Sequence, residues 1–138
     1  MEISARIRND LHGHEVELCT AGIAHRPAVS AKSSGPGSAV NGGEFLVAAL
    51  ATCYCNDLYR EAARLGIAIT GCEVVASAQF KGVGLGAESV TYRARVESSE
   101  SPERIEKLLT ETDRLAEVHN TLRAGCPARR VAWHEPAA

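Results

Sequence analysis

The chain has 138 residues, with 15 basic and 17 acidic side chains and a formal net charge of −2 at pH 7. That length suits one domain (1–138) with one site, and excludes a catalytic domain joined to a separate binding domain. The near balance of charges, spread along the chain, excludes the basic footprint of a protein that binds nucleic acid or an anionic membrane, and favours small neutral or mixed substrates.

Charges within Met1 to Arg6 fall where a signal peptide needs an apolar stretch, and no run approaches the roughly 20 apolar residues of a membrane span. A cytoplasmic chain with no membrane partner is therefore expected. Five cysteines, an odd number without regular spacing, predict free or redox-active thiols rather than a static disulfide framework.

Glu2 to Asn9 alternates Ile3, Ala5 and Ile7 with polar residues, and His14 to Thr20 alternates Val16, Leu18 and Thr20 with Glu15, Glu17 and Cys19. Both predict half-buried strands, turning at Leu11-His12-Gly13. Ala24 to Ala31 predicts a third strand, held at a sheet edge by Pro27. Ser33 to Ser38 is a flexible polar loop, and without Gly-Lys-Ser/Thr it is no phosphate-binding loop. A first helix, about Gly43 to Leu65, is apolar all round for three turns and amphipathic afterwards, so it is expected to be buried at its apolar end. Asp57, Arg60, Glu61 and Arg64 form its polar flank. Gly66-Ile67 has the form of a left-handed cap.

Cys72 to Phe80 and Glu88 to Glu97 predict a hairpin across Gly82 to Gly86, which fails the dinucleotide pattern because no helix follows. The second helix opens with Ser101 as N-cap and Pro102 at its first position, and runs through Ile105, Leu108, Leu109, Thr112, Leu115, Ala116, His119 and Leu122 on one face. Its other face (Glu106, Lys107, Glu111, Asp113, Arg114, Glu117) reads as solvated. Arg129 to His134 alternates again and predicts a last strand. The order is β-β-β-α-β-β-α-β, an α+β fold.

At about 100° per residue, Cys53 and Cys55 point roughly 200° apart on a regular helix, so they neither bond nor share a metal. Cys53 needs a partner from elsewhere, and Cys126, in Gly125-Cys126-Pro127 just after the second helix, is the cysteine best able to approach it. That is the logic of an attacking and a resolving thiol. An attacking thiol must be a thiolate, which calls for a nearby cation or helix N-terminus. Cys53 lies about ten residues into its helix, where the dipole no longer acts. Asp57 would raise the thiol pKa and Arg60 is about two turns away, so the activating cation is sought in another segment, with Arg26 the candidate and an ordinary surface charge its bland alternative. Cys19 and Cys72 read as core fillers, His119 as a hydrogen-bonded boundary residue, and Glu44 as a favourable first-turn charge.

Asn41-Gly42-Gly43-Glu44-Phe45 through Thr52-Cys53, then Ala62-Ala63-Arg64-Leu65-Gly66-Ile67, and finally Ala124-Gly125-Cys126-Pro127, together resemble the OsmC/Ohr family of thiol-dependent peroxidases. The resemblance runs from Asn41 to Pro127. It implies an intertwined homodimer with two sheets wrapped around long central helices and sites at the subunit interface. It also implies a peroxidatic Cys53, a resolving Cys126, a small-molecule hydroperoxide as substrate, and a small or protein dithiol as reductant. No cofactor or metal is implied. The chain departs from the Ohr pattern in carrying Gly43 where that branch has a glutamate, and in adding Cys55, which this reading leaves unassigned. Two further readings stand beside the peroxidase. One is a carrier holding an apolar small molecule at the dimer interface; the other is a zinc protein using Cys53, Cys126 and His119.

Overall fold

The computed structural model describes residues 1–134. Its elements are β1 (Ile3–Asp10), β2 (Gly13–Thr20), β3 (Ile23–His25), α1 (Gly42–Leu65), β4 (Gly71–Phe80), β5 (Ala87–Glu97), α2 (Pro102–Leu115) and α3 (Glu117–Arg123). The fold is α+β, as the pattern of elements predicted. Contacts gather it into two compact units, Met1–Leu46 and the chain from Val47 onward.

In the N-terminal unit, β1, β2 and β3 form one antiparallel sheet in that order. The register sets Ile3 opposite Thr20, Ala5 opposite Leu18 and Ile7 opposite Val16, so the alternating apolar residues share one face. The β1–β2 turn is closed by His12, whose backbone N–H donates to Asp10 Oδ1 at 2.8 Å. The third strand is shorter than Ala24 to Ala31: it stops at His25, two residues before Pro27, which has no N–H to continue the ladder. The polar loop that follows is pinned by an Ala31–Ser38 bridge and by Gly37 N–H donating to Asn9 Oδ1 at 3.0 Å.

The start of α1 is a reciprocal capping box: Glu44 N–H donates to Asn41 Oδ1 at 3.0 Å, and Asn41 N–H donates to Glu44 Oε2 at 2.7 Å. Its end is a Schellman turn, with Gly66 at φ +64° and Ile67 N–H reaching back to Ala62 O at 2.9 Å.

In the second unit, β4 and β5 form an antiparallel hairpin. Cys72 and Val74 on β4 and Tyr92, Ala94 and Val96 on β5 pack against a core of Tyr54, Leu58, Ala62, Ile67, Leu108 and Ala116. This corrects the expectation for α1. Its buried residues are Leu50, Tyr54, Asp57, Leu58, Glu61 and Ala62, while Ala48 and Ala49 in the apolar half are exposed. The chain turns back after Gly66 directly into β4, so the hairpin covers the amphipathic half of the helix and leaves the apolar half to other partners.

The second helix also differs from expectation. It breaks at Ala116, which adopts φ −67°, ψ 110° and is fully buried. Side chains of α3 take up the carbonyls freed at the break: Asn120 Nδ2 donates to Arg114 O and Arg123 Nη1 to Asp113 O, each at 3.0 Å. The last expected strand, Arg129 to His134, does not form, and Trp133 is 90 % exposed. Alternation prepares a segment for pairing but supplies no partner.

Candidate active site

Cys53 sits half-buried on α1, one turn before Asp57. Its thiol donates to Asp57 Oδ2 at 3.4 Å and lies 3.9 Å from Glu117 Oε2, at the start of α3. Arg60 reaches back along the helix to bind both acids, its Nη1 donating to Asp57 Oδ1 at 2.6 Å and to Glu117 Oε1 at 3.4 Å. The same guanidinium donates through Nε to Glu61 Oε1 at 3.0 Å, and Arg64 Nε donates to Glu61 Oε2 at 2.5 Å. A thiol, two carboxylates and an arginine thus form one connected group.

Burial pushes the Cys53 thiol pKa up, and the Asp57 and Glu117 carboxylates push it further; a hydrogen bond from the Val118 backbone, in the first turn of α3, works the other way. Asp57 is also held above the ordinary carboxylate range, first by burial and against the pull of Cys53 and Arg60. A raised carboxylate accepting from a raised thiol is a pair between which a proton can pass.

The ligand atoms of Cys53, Asp57 and Glu117 lie within 4.8 Å of one another. Thiolate with carboxylates is a donor set that a borderline cation such as zinc accepts. Here Arg60 already supplies the positive charge that both carboxylates face.

The other residues singled out in the sequence fall as follows. Cys126 is exposed, at the second position after the Ala124 C-cap of α3, in a Schellman turn where Gly125 has φ +63° and Cys126 N–H donates to Thr121 O at 3.3 Å. The structure does not bring it against Cys53: the length of α3, about 10 Å at 1.5 Å per residue, lies between Glu117 and the turn. Arg26 belongs to the N-terminal unit, where its guanidinium pairs with Glu17. The arginine that faces the acids around Cys53 is Arg60. Glu44 is the capping-box partner of Asn41. His119 is buried between Tyr54 and Tyr92, with ring centroids 5.5 and 4.3 Å away, and neither of its nitrogens has a hydrogen-bond partner among the described residues. It is therefore a core residue and not a hydrogen-bonded boundary one. Cys72, expected as a simple core filler, has its sulfur 3.4 Å from that of Cys55.

Sequence reasoning placed Glu117 on the solvated face of the second helix, where its side chain is indeed 70 % exposed, but missed its contact with Cys53. Only the break at Ala116 turns it toward Cys53, and nothing in the local pattern marks that break. Arg60 could have been found, because i,i+3 spacing to Asp57 is a standard helical pairing.

A family model described as OsmC-like protein matches residues 35–129. No curated protein matches the chain in sequence. Among solved structures, an OsmC-like protein from Mycoplasma pneumoniae is similar, with TM-score 0.64 and 13% identity over 88% of this chain and 86% of that one. An organic hydroperoxide resistance protein from Legionella pneumophila has TM-score 0.62 and 16% identity over 89% and 90%. An organic hydroperoxide resistance protein from Elizabethkingia anophelis has TM-score 0.62 and 16% identity over 89% of each chain.

Proposed function

Because the chain belongs to the OsmC-like family, whose matched region contains both Cys53 and Cys126, we propose that it is a cysteine peroxidase acting on organic hydroperoxides or hydrogen peroxide. Two of its structural neighbours are named as organic hydroperoxide resistance proteins. The single observation that carries the reading is the contact of the Cys53 thiol with Asp57, in a group that Arg60 closes.

In the proposed reaction Cys53 passes its proton to Asp57, and the sulfur attacks the distal oxygen of the peroxide. The O–O bond breaks, a sulfenic acid forms on Cys53, and the departing alkoxide recovers the proton from Asp57 as an alcohol. The Cys126 thiol then displaces water from the sulfenic sulfur, closing a Cys53–Cys126 disulfide, which a small or protein dithiol reopens. Closure requires α3 and its Schellman turn to move, because Cys126 starts outside the group. Arg26 remains a candidate for a supporting charge on the peroxide.

A homodimer belongs to the same proposal. Ala48 and Ala49 of α1 are exposed, and Ile3 and Ile7 are 69 and 55 % exposed, and a second copy of the chain would cover such apolar surface. No described helix is long and apolar enough to cross a membrane; a cytoplasmic location is part of the proposal.

The test is thiol titration with peptide mapping, before and after one equivalent of an organic hydroperoxide, on wild type, Cys53→Ser and Cys126→Ser. We expect a Cys53–Cys126 crosslink in wild type, no Cys53 oxidation product in the first variant, and a trappable sulfenate on Cys53 in the second. The raised pKa of Cys53 favours the rival reading, a carrier of apolar small molecules with idle thiols. Survival of both thiols would give that reading the lead.

A further inference from the structure

The two cysteines that the peroxidase reading leaves unused meet in the structure. Cys55 projects from α1 and Cys72 from the second residue of β4, and their sulfurs are 3.4 Å apart, each half-buried. They are 17 positions apart in sequence, on a helix and a strand joined through the Gly66 cap, so only the packing of β4 against α1 brings them together. A sulfur pair at van der Waals distance needs to close by only a little over 1 Å to reach the bond length of about 2.05 Å. Burial and the neighbouring Cys55 hold the Cys72 thiol above its ordinary pKa, while the Tyr59 hydroxyl beside it works in the opposite direction. Neither cysteine is fully buried, and the neighbouring Tyr59 is 47 % exposed, so the pair is within reach of small oxidants.

We propose that Cys55 and Cys72 form a second redox-active dithiol, which hydroperoxides oxidise to an intrachain disulfide that ties α1 to β4. One of the two sulfurs, as thiolate, attacks the distal oxygen of the hydroperoxide, giving a sulfenic acid and an alcohol. The other thiol displaces water from that sulfenic sulfur and the S–S bond forms. In sum, two thiols and one hydroperoxide give a disulfide, an alcohol and water. The bond would fasten the helix that carries Cys53 to the hairpin under it while oxidant is present. It would also give each chain the capacity to consume a second hydroperoxide before any reductant is needed.

The test isolates this pair from the first one. The Cys53→Ser, Cys126→Ser double variant is treated with cumene hydroperoxide and, separately, with diamide, then digested with trypsin and chymotrypsin, the latter cutting at Tyr54. We expect a crosslink between the Cys55 and Cys72 peptides and a melting temperature roughly 5 °C higher without reductant than with it; a further Cys55→Ala exchange removes both. The same mapping on wild type serves if the double variant fails to fold. Free Cys55 and Cys72 after both oxidants, crosslinks only to Cys19 or between chains, or overoxidation of either sulfur without a crosslink would each overturn the proposal.

Discussion

At the scale of single residues, the chemistry around Cys53 is a contest of charges that two substitutions can pull in opposite directions. Asp57 both accepts from the thiol and sets a negative charge beside it. Asp57→Asn removes that charge while Arg60 keeps its contacts with Glu117 and Glu61, so the Cys53 pKa is expected to fall. Arg60→Ala leaves Asp57 and Glu117 without the guanidinium that binds them, so the thiol pKa is expected to rise further. The pH dependence of Cys53 alkylation reads both shifts, and equal profiles in the two variants would show that the cluster does not govern the thiol. If Asp57 carries the proton as proposed, Asp57→Asn also slows peroxide reduction despite the easier ionisation.

At the scale of elements, α3 is held by His119, whose ring packs edge-on to Tyr92. Burial lowers the His119 pKa below the ordinary 6.5, with Arg123 adding to the effect and Asp113 opposing it. The unfolded chain therefore takes up a proton near pH 6.5 that the folded chain refuses. Stability contributed by neutral His119 is full above that value and is lost as pH falls below it, until the folded ring also titrates. His119→Phe is expected to flatten the fall in melting temperature between about pH 7 and pH 5; an unchanged slope would assign the fall to other groups. The C-cap of α1, the N-cap of α2 and the hairpin partners were legible in the sequence, because Gly66, Ser101 and Pro102 act through local geometry, whereas Glu44, read only as a first-turn charge, proved to be half of a capping box with Asn41. Leaving Arg60 to one side, the neighbours of Cys53 were half legible: Asp57 sits one turn away on the same helix, whereas Glu117 and the Cys55–Cys72 contact depend on how elements pack, which no local pattern encodes. The strand predicted at Arg129 to His134 failed for the same reason, its alternation being real and its partner absent from the described residues.

At the scale of the whole molecule, Ala48 and Ala49 in the first half of α1 are exposed, and the proposed dimer would cover them. Wild type is expected to sediment at twice the chain mass at micromolar concentration, and Ala49→Glu, which sets a charge on the exposed apolar face, is expected to shift it toward the monomer. A wild-type monomer would remove the dimer from the proposal without touching the thiol chemistry. The break at Ala116 has a consequence for the order of events. Glu117 opens α3 and Cys126 follows its far end, so under the proposed mechanism the short helix would act as a see-saw with a carboxylate on one arm and a thiol on the other. A tilt that lowered Cys126 toward Cys53 would then lift Glu117 away from it, and the group that discourages ionisation of the proposed attacking thiol would depart as the proposed resolving thiol arrived.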